Sequence, residues 1–370
     1  MDSRFQNNWV VGNTTLDIVT PYHETNYSRV AAEISGSEDP VQTFVDRFGG
    51  EATTWVGGPG FNTASYLSGR VTKLAVLTVL GRCKDQYAAA ARRAYEALEL
   101  ADIGGILKDT GNMSRCAYLL GNMSKDQVRT WYDQRASRRF DRLKADDFRQ
   151  AIALTDVFHL PTTHPGFARD ILTSEHFDRG FVVYTPGPRL GTLENPTFDE
   201  SLFDDIVDYS SLLFLNETEA QIVADNLYDG DTEALPKLFA RKLSPLSLIV
   251  VTKGSKGSTI YTGGDKHDFS LTSGMVVANP INPAGAGDAY SVKFTLDVLA
   301  GSSPLDAARS AHAFAAEILE RPGASEFRIT PDGRLYRSGQ LVQLEETIDE
   351  LSVEGLDGDG TFLKVQTGTG

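Results

Sequence analysis

The chain has 370 residues, 41% of them hydrophobic, which is enough to bury the core of one large domain or two. A formal net charge of -15 and a sequence pI near 4.9 argue against a nucleic-acid or anionic-membrane surface, which needs clustered Lys and Arg. They still allow a small anion held by local backbone amides.

Short apolar, β-branched runs recur along the sequence. The first, "WVVGNTTLDIV" (Trp9–Val19), predicts a strand with Asp17 near its end. A carboxylate there can hold two vicinal hydroxyls, or simply mark a strand-to-loop transition. Pro21–Trp55 is polar, with patches such as "YSRVAAEIS", and is expected to form strands apart from the main sheet. "GGPGFNTASYL" (Gly57–Leu67) is a glycine-rich approach to a helix. Gly57 and Gly58 can let a polyhydroxylated ligand reach the main chain, and Asn62 can both donate and accept hydrogen bonds. An ordinary loop with Asn62 in the first helical turn gives the same pattern.

"LAVLTVLG" (Leu74–Gly81) is strand-sized, far short of the roughly 20 residues that span a bilayer. "DQYAAAARRAYEALEL" then follows with helical patterning. Asn112–Tyr132, with "RCAYLLGN" and "QVRTWY", is a second strand-forming excursion, and the two excursions are expected to build one small domain over the sheet edge. "DVFHLP", "GFVVYTPG", "SLLFLN" and "LSLIVVTKG" continue the series of buried strands, most separated by helical stretches. That alternation predicts an α/β fold with a parallel sheet covered on both faces, and ligands bind such sheets beyond the carboxyl ends of the strands.

Two motifs follow those strand ends. In "LFLNETEAQI" (Leu213–Ile222), Asn216 and Glu219 have the spacing of a capping box, which accounts for them well; the functional alternative is that they orient Mg2+ and its waters near nucleotide phosphates. "VVTKGSKGST" (Val250–Thr259) superficially resembles a phosphate-binding P-loop, but the glycine spacing and lysine position are wrong. "STIYTGG" reads as a hairpin return strand rather than a helix, so a P-loop is rejected while Gly254 and Gly257 stay free to flank a nucleotide.

"NPAGAGDAYSVKF" (Asn282–Phe294) places Gly285 and Gly287 just before a helix that should stop near Gly301. Free amides and the positive end of the helix dipole would there stabilise charge on a transferring phosphoryl group. Asp288 beside them can take the proton of an attacking hydroxyl, or serve only as a helix-start acid. The histidines are scattered; His159, His164 and His312 are read as structural. Cys83 and Cys116 match no metal-ligand spacing and fit a reducing cytoplasm, and the N-terminus has no signal-peptide pattern. From Leu341 the chain is acidic, then Gly- and Thr-rich, with no chemistry evident.

Taken in order, "LD", "GGxxxN", "NxxE", "TxGxxG" and "GAGD" resemble the PfkB family of carbohydrate kinases, with the ribokinase-like fold. The resemblance runs from about Val10 to Leu341. It implies a three-layer α/β domain over 1–340 and a small β lid from about 18–56 and 110–134, with 341–370 as a tail. It further implies that Asp17, Gly57, Gly58 and Asn62 contact the sugar, that Asn216 and Glu219 support Mg2+ and phosphate, and that Thr252, Gly254 and Gly257 border ATP. Gly285, Ala286 and Gly287 become the anion hole and Asp288 the base. Three places depart from the family pattern. Asn282 and Pro283 replace the usual Asp-Thr, whose acid relatives associate with a monovalent cation, so that requirement is left open. "TPGPR" keeps only Pro186 and Arg189 of "DPNxR". "GRCKDQYA" keeps part of "GxDxxG".

The expected function is ATP-dependent phosphorylation of a sugar hydroxyl in the cytoplasm. A nucleoside kinase of the same fold, or a degenerate sugar-binding relative without chemistry, are the alternatives. The expected partners are a small sugar and ATP, with no nucleic acid or membrane, and exposed lid strands invite pairing into a homodimer.

Overall fold

The computed structural model describes residues 5–342 apart from 21–23, 83, 99, 102–104, 110, 122–127, 179, 192–196, 241–246, 264, 273–274 and 279. Cys83 and the acidic tail lie outside the described residues.

The first apolar run is two strands rather than one. β1 (Asn7–Val11) and β2 (Thr15–Val19) are parted at Gly12–Thr14 and enter different sheets, so Asp17 lies in the middle of the second. The polar stretch that follows is mostly helical, correcting the expectation of strands. In α1 (Tyr27–Ser35) and α2 (Pro40–Phe48), the buried residues Val30 and Ile34, then Val41, Phe44 and Phe48, recur at helical spacing. Asp39 caps α2 by accepting from Gln42 N at 2.8 Å. Among the described residues of that stretch, β3 (Thr53–Gly57) is the strand.

The chain continues through α3 (Pro59–Leu67), β4 (Lys73–Leu80), α4 (Gln86–Glu96) and β5 (Ile106–Lys108) to an antiparallel pair, β6 (Arg115–Leu120) and β7 (Val128–Asp133). Alternating elements follow: α5 (Arg149–Leu154), β8 (Val157–Pro161), α6 (Pro165–Leu172), β9 (Phe181–Thr185), α7 (Glu200–Val207), β10 (Leu212–Asn216), α8 (Glu217–Leu227) and β11 (Leu248–Thr252). β12 (Ser258–Tyr261) and β13 (Lys266–Phe269) then turn back, two long helices α9 (Ala286–Leu299) and α10 (Pro304–Leu319) follow, and β14 (Phe327–Ile329), β15 (Leu335–Arg337) and β16 (Gln340–Leu341) finish the described chain.

Nine strands form the larger sheet in the order β13-β12-β11-β10-β9-β8-β1-β4-β5. Its members from β11 to β5 run parallel, and β12 and β13 return antiparallel. Side chains alternate across this sheet. Trp9, Val11, Leu77, Phe158, Leu213 and Val251 face one core with α6, α7 and α8. On the other face, Val10 and Val76 pack on α3, α4 and α9, while Val183, Phe214 and Val250 pack on α9 and α10. Burial on both faces is why these strands read as continuous apolar runs, and the result is the expected three-layer α/β architecture.

The smaller sheet has seven strands in the order β16-β15-β14-β3-β2-β6-β7. One face, with Ile18, Ala117, Leu119 and Trp131, is covered by α1 and α2 through Val30, Ile34, Val41, Phe44 and Phe48. Asp17 has the opposite parity to Ile18, so it lies on the uncovered face, opposite Trp55 on β3 and Cys116 on β6. That face looks toward the start of α9, where Asp17 feels the charge of Asp288. Among the described residues no helix is long and apolar enough to cross a membrane.

Candidate active site

The carboxyl ends of β8 to β11 and the first turn of α9 converge on a cavity of about 220 Å3, as the strand-end rule for open sheets anticipates. Asn216, Glu219, Thr252, Gly285, Gly287 and Asp288 all line it.

Gly285 starts α9 in the left-handed conformation, φ 78°, with no side-chain cap. A Cβ at this position would come within 2.7 Å of Ala324 Cβ and 2.8 Å of Tyr66 Oη, so the turn requires glycine. Its first amides lack intrahelical acceptors. Ala286 N–H leans back on Pro283 O at 3.3 Å, while Gly287 has open space above its Cα. The helix therefore offers unshielded N–H groups and its positive end to the cavity. Asp288, partly enclosed one residue further on, accepts a 2.9 Å hydrogen bond from Asn62 Nδ2. Burial raises its carboxyl to about 6, and the Asn62 bond opposes that rise.

On the far side of Asp288, Asp17 is 1% exposed. Burial lifts its carboxyl to about 7 against the donors of Thr15 and Gly58, with the Asp288 charge adding to the rise. Thr15 Oγ1 donates to Asp17 Oδ1 at 2.6 Å. Gly57 is what lets this carboxylate lie flat on β3, because a Cβ there would sit 2.0 Å from Asp17 Oδ2. Asp17 Oδ2 and Asn62 Oδ1 are buried acceptors with no donor among the described residues. Both are the kind of acceptor that a ligand's hydroxyl or N–H groups can satisfy.

The third acid, Glu219, sits in a complete capping box. Its carboxylate accepts from Asn216 N at 3.0 Å and from Asn216 Nδ2 at 2.8 Å, while Asn216 Oδ1 accepts from Glu219 N at 2.8 Å. Burial, and after it the Asp288 charge, pushes Glu219 up to about 7, opposed by the Asn216 amide.

Gly254 and Gly257 do not line the cavity. They shape the turn from β11 into β12, an antiparallel return that agrees with rejecting a P-loop. His159 is buried against Asn8 Oδ1 at 3.2 Å, and His312 stacks on Phe269 while its Nε2 meets Ser258 Oγ at 3.2 Å; both are structural. Sequence reasoning missed Thr162, Thr185, Gly187, Phe214 and Tyr290, which also line the cavity. Thr162 adopts a positive φ of 54°, a strain that concentrates at functional sites. The available signal was position alone, since Thr162 and Thr185 directly follow or end buried strands.

The three-layer α/β architecture is the ribokinase-like fold of its solved neighbours. Solved structures agree: a Methanocaldococcus jannaschii nucleoside kinase (TM-score 0.64, 21% identity, 86% of this chain and 93% of that one) and a Thermotoga maritima ribokinase (TM-score 0.61, 19% identity, 86% and 95%). Anopheles gambiae adenosine kinase gives a TM-score of 0.69 at 17% identity, covering 85% and 96%. In sequence, the nucleoside kinase of M. jannaschii is 26% identical over 179 residues, about half of each chain (48% of this one, 51% of that one). The pfkB family carbohydrate kinase profile matches residues 49–331, and the chain belongs to that family of phosphotransferases.

Proposed function

We propose that this chain transfers the γ-phosphoryl group of ATP to a hydroxyl of a sugar, with Asp288 as the base. At neutral pH a carboxyl near 6 is mostly ionised, and Asn62 Nδ2 holds it in place. The attacking hydroxyl gives its proton to Asp288 as its oxygen meets phosphorus, and the bond to the ADP oxygen breaks in line. Charge gathering on the transferring group lies before the first turn of α9, where the Gly287 and Asp288 amides and the helix dipole offset it. Asp17 Oδ2 and Asn62 Oδ1 take hydrogen bonds from the acceptor and set which hydroxyl reaches Asp288.

Mg2+ would supply charge neutralisation between the nucleotide phosphates. Glu219, whose oxygens each accept one hydrogen bond from Asn216 and keep lone pairs for a metal or its waters, is the residue present that would help hold such an ion. Thr252 and Asn216 border the same cavity, and we assign them to the nucleotide.

The observation that supports this function most is the pairing of orphaned buried acceptors with an acid at an open helix start. ADP release measured across a panel of sugars and nucleosides tests it. Silence across the panel, with a ligand-induced rise in melting temperature, would instead mark a binder without chemistry.

A nucleoside acceptor is the second possibility, and one feature favours it. The face of the smaller sheet that carries Asp17 also carries Trp55 and Tyr118 beside Val19 and Leu120, an apolar and aromatic wall on which a base can stack. The sequence relative named as a nucleoside kinase points the same way. In this proposal the smaller sheet acts as the lid, and its edge strands β7 and β16 are where a second copy would pair, a point that sedimentation decides.

A further inference from the structure

The turn that leads into Gly287 and Asp288 is fastened to the end of α10 and the segment after it. Ile281 N and Asn282 N both donate to Leu319 O, at 2.7 and 3.3 Å. Tyr66 Oη donates to Ala324 O, and the bare Cα of Gly285 faces Ala324. Between these contacts stands Asn282, only 1% exposed. Its Oδ1 accepts from Ala284 N at 3.0 Å and its Nδ2 donates to Pro322 O at 3.1 Å.

The orientation of this carboxamide is fixed by its partners. A flipped amide would set Oδ1 against the Pro322 carbonyl oxygen and Nδ2 against the Ala284 N–H, losing both bonds. The family pattern that the sequence resembles has an acid at this position and implies a monovalent cation beside it. Such an ion needs oxygens facing it, whereas here Asn282 turns an N–H group, not an oxygen, toward the Pro322 carbonyl. The residues present do not fit a cation, and the amide itself joins the two segments.

We propose that Asn282 is the positioning residue of the phosphate-facing turn, and that phosphoryl transfer by this chain is independent of monovalent cations. The proposal builds on the kinase function above, and its test separates the two. Turnover and melting temperature are measured in potassium chloride and in choline chloride at equal ionic strength, for the wild type, Asn282→Asp and Asn282→Ala. The wild type is expected to behave alike in both salts. Asn282→Asp turns a carboxylate oxygen toward Pro322 O, so in choline its kcat should fall roughly 10- to 100-fold with little change in acceptor KM. Its melting temperature should fall by about 2–4 °C. Potassium, which fits between two facing oxygens, should restore both quantities. Asn282→Ala should lose turnover that no cation recovers. A wild type whose turnover or melting rises with potassium overturns the proposal, as does Asn282→Asp matching the wild type in choline. If no acceptor gives ADP, the kinase function fails, and the melting comparison still decides the role of Asn282.

Discussion

Two helices begin at the same cavity, and they begin in opposite ways. α8 closes its own start: Asn216 and Glu219 satisfy each other's backbone and side chains in a complete capping box. α9 has only Gly285 at its cap, with no side chain to cover the first amides. In stability terms the first arrangement is the better one, since a side-chain cap contributes about 1 kcal/mol. The second therefore forgoes stability and leaves donors for a ligand. An open helix start beside a buried acid indicates chemistry more strongly than glycine content does.

The contrast can be broken most severely at Asp288. Asp288→Asn should keep the fold, checked by circular dichroism, and lower kcat by roughly 10²- to 10⁴-fold. Near-wild-type turnover would remove Asp288 as the base. Gly285→Ala comes next: the left-handed φ of 78° and the clash with Ala324 distort the turn, with turnover expected to fall by about 10-fold or more. A Gly285→Ala enzyme with unchanged turnover and melting would mean the uncapped start is incidental.

The pH dependence follows from the same acids. Turnover should fall about tenfold per unit as pH drops below about 6, where Asp288 takes a proton, and level off above. Stability should run the other way. Asp17, Glu219 and Asp288 have native values of about 7, about 7 and about 6, above their ordinary 3.8 to 4.5. Between these ranges the native state binds more protons than the unfolded one, so stability is fuller at the acid end and declines as pH rises toward 7. Melting of Asp288→Asn across that window should decline less steeply than wild type; an identical slope would show that Asp288 does not carry its share. Smallest is the closed helix. Asn216→Ala should lower the melting temperature by about 1–2 °C through the lost cap, with a far milder loss of turnover than Asp288→Asn. A comparable loss would show that the closed cap also handles the nucleotide.

Much of this was legible in sequence where local patterning decides the structure. The parallel sheet was visible because strands buried on both faces must be continuously apolar, as "LIVVT" and "LLFLN" are. Both helix starts were visible too, in "NETE" and "GAGD". The missed parts depend on long-range partners. α1 and α2 carry polar faces over a thin apolar stripe, and the stripe matters only because Ile18, Leu119 and Trp131 lie beneath it. Nothing local separates β1 from β2 except Gly12–Thr14, where the chain changes sheets. Thr162 and Thr185 have side chains common in any loop, and only convergence of strand ends gives them a place in the site. Asn282 appeared in the sequence as a departure; only the structure gives it its two partners, Ala284 N and Pro322 O, the second far along the chain.

The smaller sheet is assembled from stretches far apart in the chain, and two of its links to the larger layer are very short: Gly12–Thr14 between β1 and β2, and Gly58 between β3 and α3. Asp17 lies just beyond the first link, and Asn62 just beyond the second, on the other body. Any hinge motion of the smaller sheet must therefore pivot at these crossings and change the spacing between Asp17 and Asn62. On the function proposed above, gripping the acceptor and closing over it would be mechanically one movement, so a substitution that stiffens either pivot should alter acceptor affinity and closing rate together.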